Sequence, residues 1–271
     1  MPAPLLVTIA TQRSGTKFLA ACLNGGAAVR SFGEPFKPGP PDSPFPAFAI
    51  GWMGARPGFA FRNAEMAALL EAFLDSLSAR AAAEGRIAHL DVMYNNLGAF
   101  TGAWTLPVNP EGESPLCRVL RARGAGVIHL VRESLAACVA STLIAGRRGY
   151  HRTTPLGAAE AGLRLSADLA AAERQMRGIL AARAFVRRAF RRHPAYAELA
   201  YPDFIEGQGL APAACAALRR LPGLDGAATL AGTAALRPTA PDREAVVTNW
   251  TALVALEARV RTETEAAGGS P

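Results

Sequence analysis

Leu5-Leu6-Val7-Thr8-Ile9-Ala10, running directly into Thr11-Gln12-Arg13-Ser14-Gly15-Thr16-Lys17, is the stretch that decides the fold. The first six residues form a short apolar run with β-branched members, bounded by a polar turn that contains glycine, and they read as a buried strand. Phe18 to Asn24 carries an apolar helical pattern closed by Gly25-Gly26. Strand, turn and helix in that order open a βαβ unit. A loop of this kind presents unpaired backbone N–H groups at a helix N-terminus, which suits an anion. Gly15 lets the backbone approach, Ser14 and Thr16 add hydroxyl donors, and Arg13 and Lys17 add positive charge.

Working outward, Ile87 to Val92 and Val127 to Val131 read as further buried strands and Tyr196 to Tyr201 as a fourth. Between them Ala64 to Ala83, Pro115 to Arg123, Ser134 to Ala145, residues 157–192 as one helix or two, Pro212 to Arg220, and Glu244 to Glu263 read as helices. Ser31 to Pro57, rich in Pro and aromatics, reads as a long irregular segment able to wall a pocket. The alternation predicts an α/β fold, a P-loop-like three-layer α/β/α sandwich with a central parallel sheet, built as a single domain over residues 1–271 with a frayed tail from about 264. Ligands of such sheets lie beyond the carboxyl ends of the strands, so the loops after Ala10, Val92 and Val131 should share one edge.

Half of the 271 residues are hydrophobic, enough for a sizeable core, and no apolar run approaches the length needed to span a bilayer. Together with an N-terminus that lacks a basic secretory start, this predicts a cytoplasmic protein with no membrane span. Cys22, Cys117, Cys138 and Cys215 are widely spaced without a CxxC pair, which predicts neither a zinc site nor a disulfide framework. The formal charge is +7, and all basic residues but Lys17 and Lys37 are arginine. That balance favours anionic partners. The pairs Arg187-Arg188 and Arg191-Arg192 sit at helical spacing as a solvated face, and no nucleic-acid signature with interleaved aromatics accompanies them. His89 and His129 fall inside strands and read as satisfied core residues; His151 lies in a loop from which it could reach a ligand.

The nucleotide P-loop, GxxxxGK[ST], is not matched: Ala10 stands at its first glycine, and Thr16-Lys17 inverts the order that places a hydroxyl on Mg²⁺. The run TQRSGTKFL (11–19) resembles instead the 5′-phosphosulfate loop of PAPS-dependent sulfotransferases. The run VIHLVRESLAACVAST (127–142) resembles their strand and helix that bind the donor's 3′-phosphate, with Arg132-Glu133-Ser134-Leu135 similar to a bacterial branch that includes trehalose-type carbohydrate sulfotransferases. Gly33-Glu34-Pro35-Phe36 resembles the segment that carries that branch's general base. Weaker similarities cover Asp91 to Asn96, Tyr201-Pro202-Asp203-Phe204, and Arg237 to Trp250, the last resembling the C-terminal donor-contacting loop.

The resemblance implies sulfuryl transfer from PAPS (3′-phosphoadenosine 5′-phosphosulfate), without a metal, to a hydroxyl on a small molecule or glycan. By it, Glu34 is the base and Arg13 assists the leaving group; Arg13, Ser14, Gly15, Thr16, Lys17, Arg132, Ser141 and Arg237 hold the donor. A P-loop-like small-molecule kinase using ATP and Mg²⁺, and a non-catalytic binder of phosphorylated ligands, are the alternatives. Acceptor identity and a homodimeric assembly stay open.

Overall fold

Strand β1 (Leu5–Ala10) is buried at every position. Leu5, Val7 and Ile9 pack into one apolar layer and Leu6 and Ala10 into the other. Each fully buried Leu or Ile side chain contributes roughly 1.5–3 kcal/mol, so this strand alone anchors two layers of core. The computed structural model of the chain describes residues 4–37, 44–60, 62–97, 114–148, 162–225, 230, 232–234 and 243–267.

After β1 come α1 (Thr16–Gly25), β2 (Val29–Ser31), α2 (Pro44–Gly54), α3 (Asn63–Ala82) and β3 (Ile87–Met93). They are followed by α4 (Pro115–Ala122), β4 (Gly126–Arg132), α5 (Leu135–Arg148), α6 (Leu169–Phe190) and β5 (Tyr196–Tyr201). A small antiparallel pair, β6 (Ile205–Glu206) with β7 (Gly209–Leu210), leads to α7 (Pro212–Leu218), α8 (Arg243–Val246) and α9 (Trp250–Ala266). The five-stranded sheet has the order β2-β3-β1-β4-β5 and is parallel throughout. Helices α1 and α7 cover one face, and α2, α3, α4 and part of α6 cover the other. This is the three-layer α/β/α sandwich expected from the alternation. Helices α5, α6 and α9 share a further apolar cluster of their own.

β1 and β4 are neighbours, yet the chain leaves β1 toward β2 on one side and leaves β4 toward β5 on the other. A crevice forms at the carboxyl ends where connections diverge in this way. It is the edge to which the sequence assigns the ligand loops.

Four expectations change. The segment 31–57 contains helix α2. Pro44 and Pro46 occupy its first turn, where no intrahelical N–H bond is lost, and Phe45 and Phe48 set their rings 5.1 and 5.2 Å from that of Phe73 on α3. Tyr196–Tyr201 is the fifth strand of the sheet, because β2 spans only 3 residues and carries too little pattern to read. Of the stretch 157–192, expected as one helix or two, residues 157–161 lie outside the described residues, 162–168 are irregular, and the helix begins at Leu169 with the Asp168 carboxylate accepting from the N–H groups of Ala170 and Ala171. The final helix is broken at 247–249 for a related reason. Leu165 pairs there with Val247, and the Asn249 side chain bonds both the N–H and the carbonyl of Ala167, so the two irregular segments satisfy each other. Helix α9 then continues through Ala266.

All four cysteines are free; Cys22, Cys117 and Cys138 are buried. Burial pushes the Cys22 and Cys138 thiols up to about 11, as befits packing residues. No helix among the described residues is long and apolar enough to cross a membrane.

Candidate functional site: a basic crevice at the ends of β1 and β4

The loop after β1 turns through two left-handed residues, Arg13 at φ 67° and Gly15 at φ 88°. Gly15 is the N-cap of α1 and offers no side-chain cap, and no acidic residue stands in the helix's first turn. The positive end of α1 is thus left without an anion from its own cap or first turn. Gly15 is required twice over. Its φ disfavours any Cβ, and a Cβ there would come within 2.8 Å of Cδ2 of Tyr201. Ser14 is fully buried, and its hydroxyl has no hydrogen-bond partner among the described residues. Such an orphan is costly unless a ligand or water completes it. Thr16 is buried beside it, whereas Lys17 is exposed and makes no hydrogen bond or ion pair among the described residues.

Arg132 ends β4 and is only 4% exposed. Its Nη1 donates to the Arg13 carbonyl at 2.8 Å, which helps hold that residue in its left-handed turn, and lies 3.4 Å from the Ser141 hydroxyl on α5. Its guanidinium also sits over the Tyr201 ring, 4.8 Å from the centroid. A second guanidinium, Arg243 at the start of α8, shares this corner. Burial and the charge of Arg132 both disfavour its protonated form, partly offset by Tyr201, and its buried Nε has no partner among the described residues. Neither arginine is paired with a carboxylate among the described residues. Two like charges close together in a low-dielectric corner are a standing invitation to an anion.

Helix α5 also points its N-terminus at this edge, but its N–H groups are taken. Glu257 of α9 accepts from the Leu135 and Ala136 amides at 2.9 and 2.7 Å, and the Ser134 hydroxyl accepts from Ala137 at 3.1 Å. Arg261 in turn pairs with Glu257 at 2.9 Å.

On the other side of β1 lies an acidic patch. The chain beyond β2 stays alongside β3, with Phe32 donating to the His89 carbonyl at 2.8 Å and Asp91 donating to the Gly33 carbonyl at 2.6 Å. Gly33 then turns at φ 64° and delivers the half-buried Glu34 next to Asp91. Asp91 is 4% exposed and its Oδ1 has no hydrogen-bond partner among the described residues. Burial, reinforced by the charge of Glu34, holds its carboxyl well above the usual range, so it carries a proton far more readily than a surface aspartate. His89 stands 3.7 Å away with its ring nitrogens bonded to Thr8 and Ser31 at 2.8 and 3.0 Å. Burial lowers it to about 4, which makes it a neutral core residue.

The sequence-expected residues therefore fall into groups. Arg13, Ser14, Gly15, Thr16, Arg132 and Ser141 gather around one crevice, while Glu34 stands across β3 from the β1 loop. Arg237 and His151 lie outside the described residues. Sequence reasoning missed Arg243, Tyr201 as a lining ring, and the buried Asp91. Each sits within a stretch singled out for resemblance, but nothing local marks which side chain of the stretch faces the crevice. Among the described residues no group of three His, Cys, Asp or Glu side chains is arranged to hold a metal ion. No protein-family profile matches the chain, and no curated protein matches it either.

Proposed function

We propose that this chain is a PAPS-dependent sulfotransferase, moving a sulfuryl group from the phosphoadenosine donor to an acceptor hydroxyl on a carbohydrate or other small molecule. One observation carries the reading: Arg132 and Arg243, unpaired with any described carboxylate, adjoin the uncapped N-terminus of α1. This supports two neighbouring anion positions, as a nucleoside 3′,5′-bisphosphate skeleton requires. The α1 amides, Ser14 and Thr16 would receive the 5′-phosphosulfate; Arg132, Arg243 and Ser141 would receive the 3′-phosphate.

In the transfer the acceptor oxygen bonds to sulfur as the bond from sulfur to the bridging phosphate oxygen breaks, leaving adenosine 3′,5′-bisphosphate. Glu34 takes the acceptor's proton. Arg13 and the loop amides stabilise the negative charge that grows on the bridging oxygen. Positioning and electrostatics supply the rate, since the protein forms no covalent bond.

Calorimetric titration with adenosine 3′,5′-bisphosphate, with magnesium omitted and ATP as comparison, tests the reading. Tight binding of the bisphosphate that weakens about 100-fold in Arg132→Ala is expected. Binding of ATP alone, once magnesium is restored, would instead favour the kinase alternative. Glu34→Gln should leave bisphosphate affinity unchanged and slow turnover by about 100-fold or more.

A further inference from the structure

Arginines on α6 follow helical spacing, and all but one reach solvent or half-exposed positions; Arg183 is only 1% exposed. Burying a guanidinium is unfavourable unless its donors are matched. Its Nη2 donates to the main-chain carbonyl of Arg132 at 2.9 Å, and its Nη1 lies 3.7 Å from Oε2 of Glu133, while its buried Nε has no partner among the described residues. Its charge also acts on the Tyr94 hydroxyl. Tyr94 is itself held: its hydroxyl is 2.6 Å from Nε2 of His129, whose Nδ1 faces Tyr196 at 2.8 Å and Glu198 at 3.1 Å. Glu198 is the acceptor at one end, so Nδ1 carries the hydrogen and Nε2 accepts from Tyr94. A hydrogen-bonded chain thus runs from Glu198 through His129 to Tyr94, and Arg183, whose charge acts on Tyr94, bonds the backbone of Arg132.

Arg132 is consequently gripped at both ends. Its carbonyl is held by Arg183 from the α6 side, and its guanidinium is held by the Arg13 carbonyl from the β1 side. We infer that Arg183 is a positioning residue for anion recognition: by fixing the Arg132–Glu133 turn it aims the Arg132 guanidinium at the phosphate on the 3′ side of the donor. This rests on the function proposed above and adds to it a residue that touches no ligand. A purely structural Arg183, one that only fastens α6 to the sheet, would affect stability without affecting which nucleotide is preferred.

The test is a pair of titrations, with adenosine 3′,5′-bisphosphate and with adenosine 5′-monophosphate, on the wild-type chain, Arg183→Lys and Glu133→Gln. Lysine keeps the charge but cannot span the Arg132 carbonyl and Glu133 together. Arg183→Lys should weaken the bisphosphate about tenfold and the monophosphate less than about twofold, so the preference collapses. Glu133→Gln removes an exposed partner of Arg183 without threatening the fold, and should erode the preference about twofold to threefold. A preference unchanged in both variants, or an equal loss for both nucleotides, overturns the positioning role. If Arg183→Lys does not fold, Glu133→Gln decides alone, and an unchanged preference there overturns the inference. A wild-type chain that binds both nucleotides equally overturns the sulfotransferase reading itself.

Discussion

The junctions that follow β1 and β4 are alike in design and opposite in state. Each is a buried parallel strand ending at the same crevice and passing through a tight turn into a helix. After β1, the N-terminus of α1 is capped by glycine alone, with no acid in its first turn and a buried serine hydroxyl left over. After β4, the N-terminus of α5 is filled by Glu257 reaching in from α9, with Ser134 completing the cap. Of these two positive helix ends, one is filled and the other stays open among the described residues. Further positive charge at this edge is supplied by side chains, Arg132 at the end of β4 and Arg243 at the start of α8. A helix N-terminus is a potential anion site in any parallel α/β sheet; whether it is used depends on whether the protein has already filled it.

Three substitutions would break or sharpen that contrast. The largest effect is expected from Gly15→Ala. The added Cβ must adopt φ 88° and would meet Tyr201 at 2.8 Å, displacing the ring that underlies Arg132. Bisphosphate affinity, read by calorimetry, should fall about 100-fold or more. Retained affinity would mean that the loop after β1 is not where the ligand sits.

Glu257→Gln comes next. It weakens two charge-assisted bonds to the α5 amides, and the chain should lose about 1–2 kcal/mol in urea unfolding. Bisphosphate affinity should stay within about twofold, because this carboxylate bonds the α5 amides, Ser134 and Arg261 and makes no bond to the open junction among the described residues. A loss comparable with that of Gly15→Ala would show that the two junctions are not independent.

The smallest effect concerns the acidic side of the open junction. Asp91 has its folded pKa raised above the ordinary 3.8, so the folded chain holds a proton that the unfolded chain releases, and stability falls as pH rises beyond that value. His89, lowered from 6.5 to about 4, has the opposite effect in that interval: the unfolded chain binds the proton, and stability rises with pH. The two slopes, each at most about 1.4 kcal/mol per pH unit, oppose one another as the pH rises from about 4. Asp91→Asn should therefore remove the opposing slope and make stability climb more steeply from about pH 4 to 6.5, as measured by urea unfolding across pH 4 to 8. A profile unchanged from wild type would mean that Asp91 is ionised in the folded chain.

Strands β1, β3 and β4 were legible because both their faces are buried, which writes a continuous apolar run into the sequence at each. The loop of Arg13 to Lys17 was legible for a similar local reason, since glycine and small hydroxyl residues follow such a strand directly. Helix α2 was hidden by Pro44 and Pro46, which signal irregular chain except in the first turn of a helix. The break at 247–249 was invisible because its partner, Leu165 to Ala167, lies some eighty residues earlier. Arg183 could not be told from the solvated arginines around it, for one helical position differs from the next only in what packs against it.

By itself the sequence determined the alternation of the main strands and helices, the edge that the loops after β1 and β4 share, and the chemical character of the first loop. Those properties depend on near neighbours: side-chain alternation, backbone freedom at glycine, and apolar run length. The tertiary structure alone decided which helix end stays open, that Arg243 joins Arg132, that Asp91 lies beside Glu34, and that a buried arginine on α6 grips β4. These depend on groups distant in sequence meeting where water is scarce, and there an unpaired charge or hydroxyl has consequences that no local pattern records.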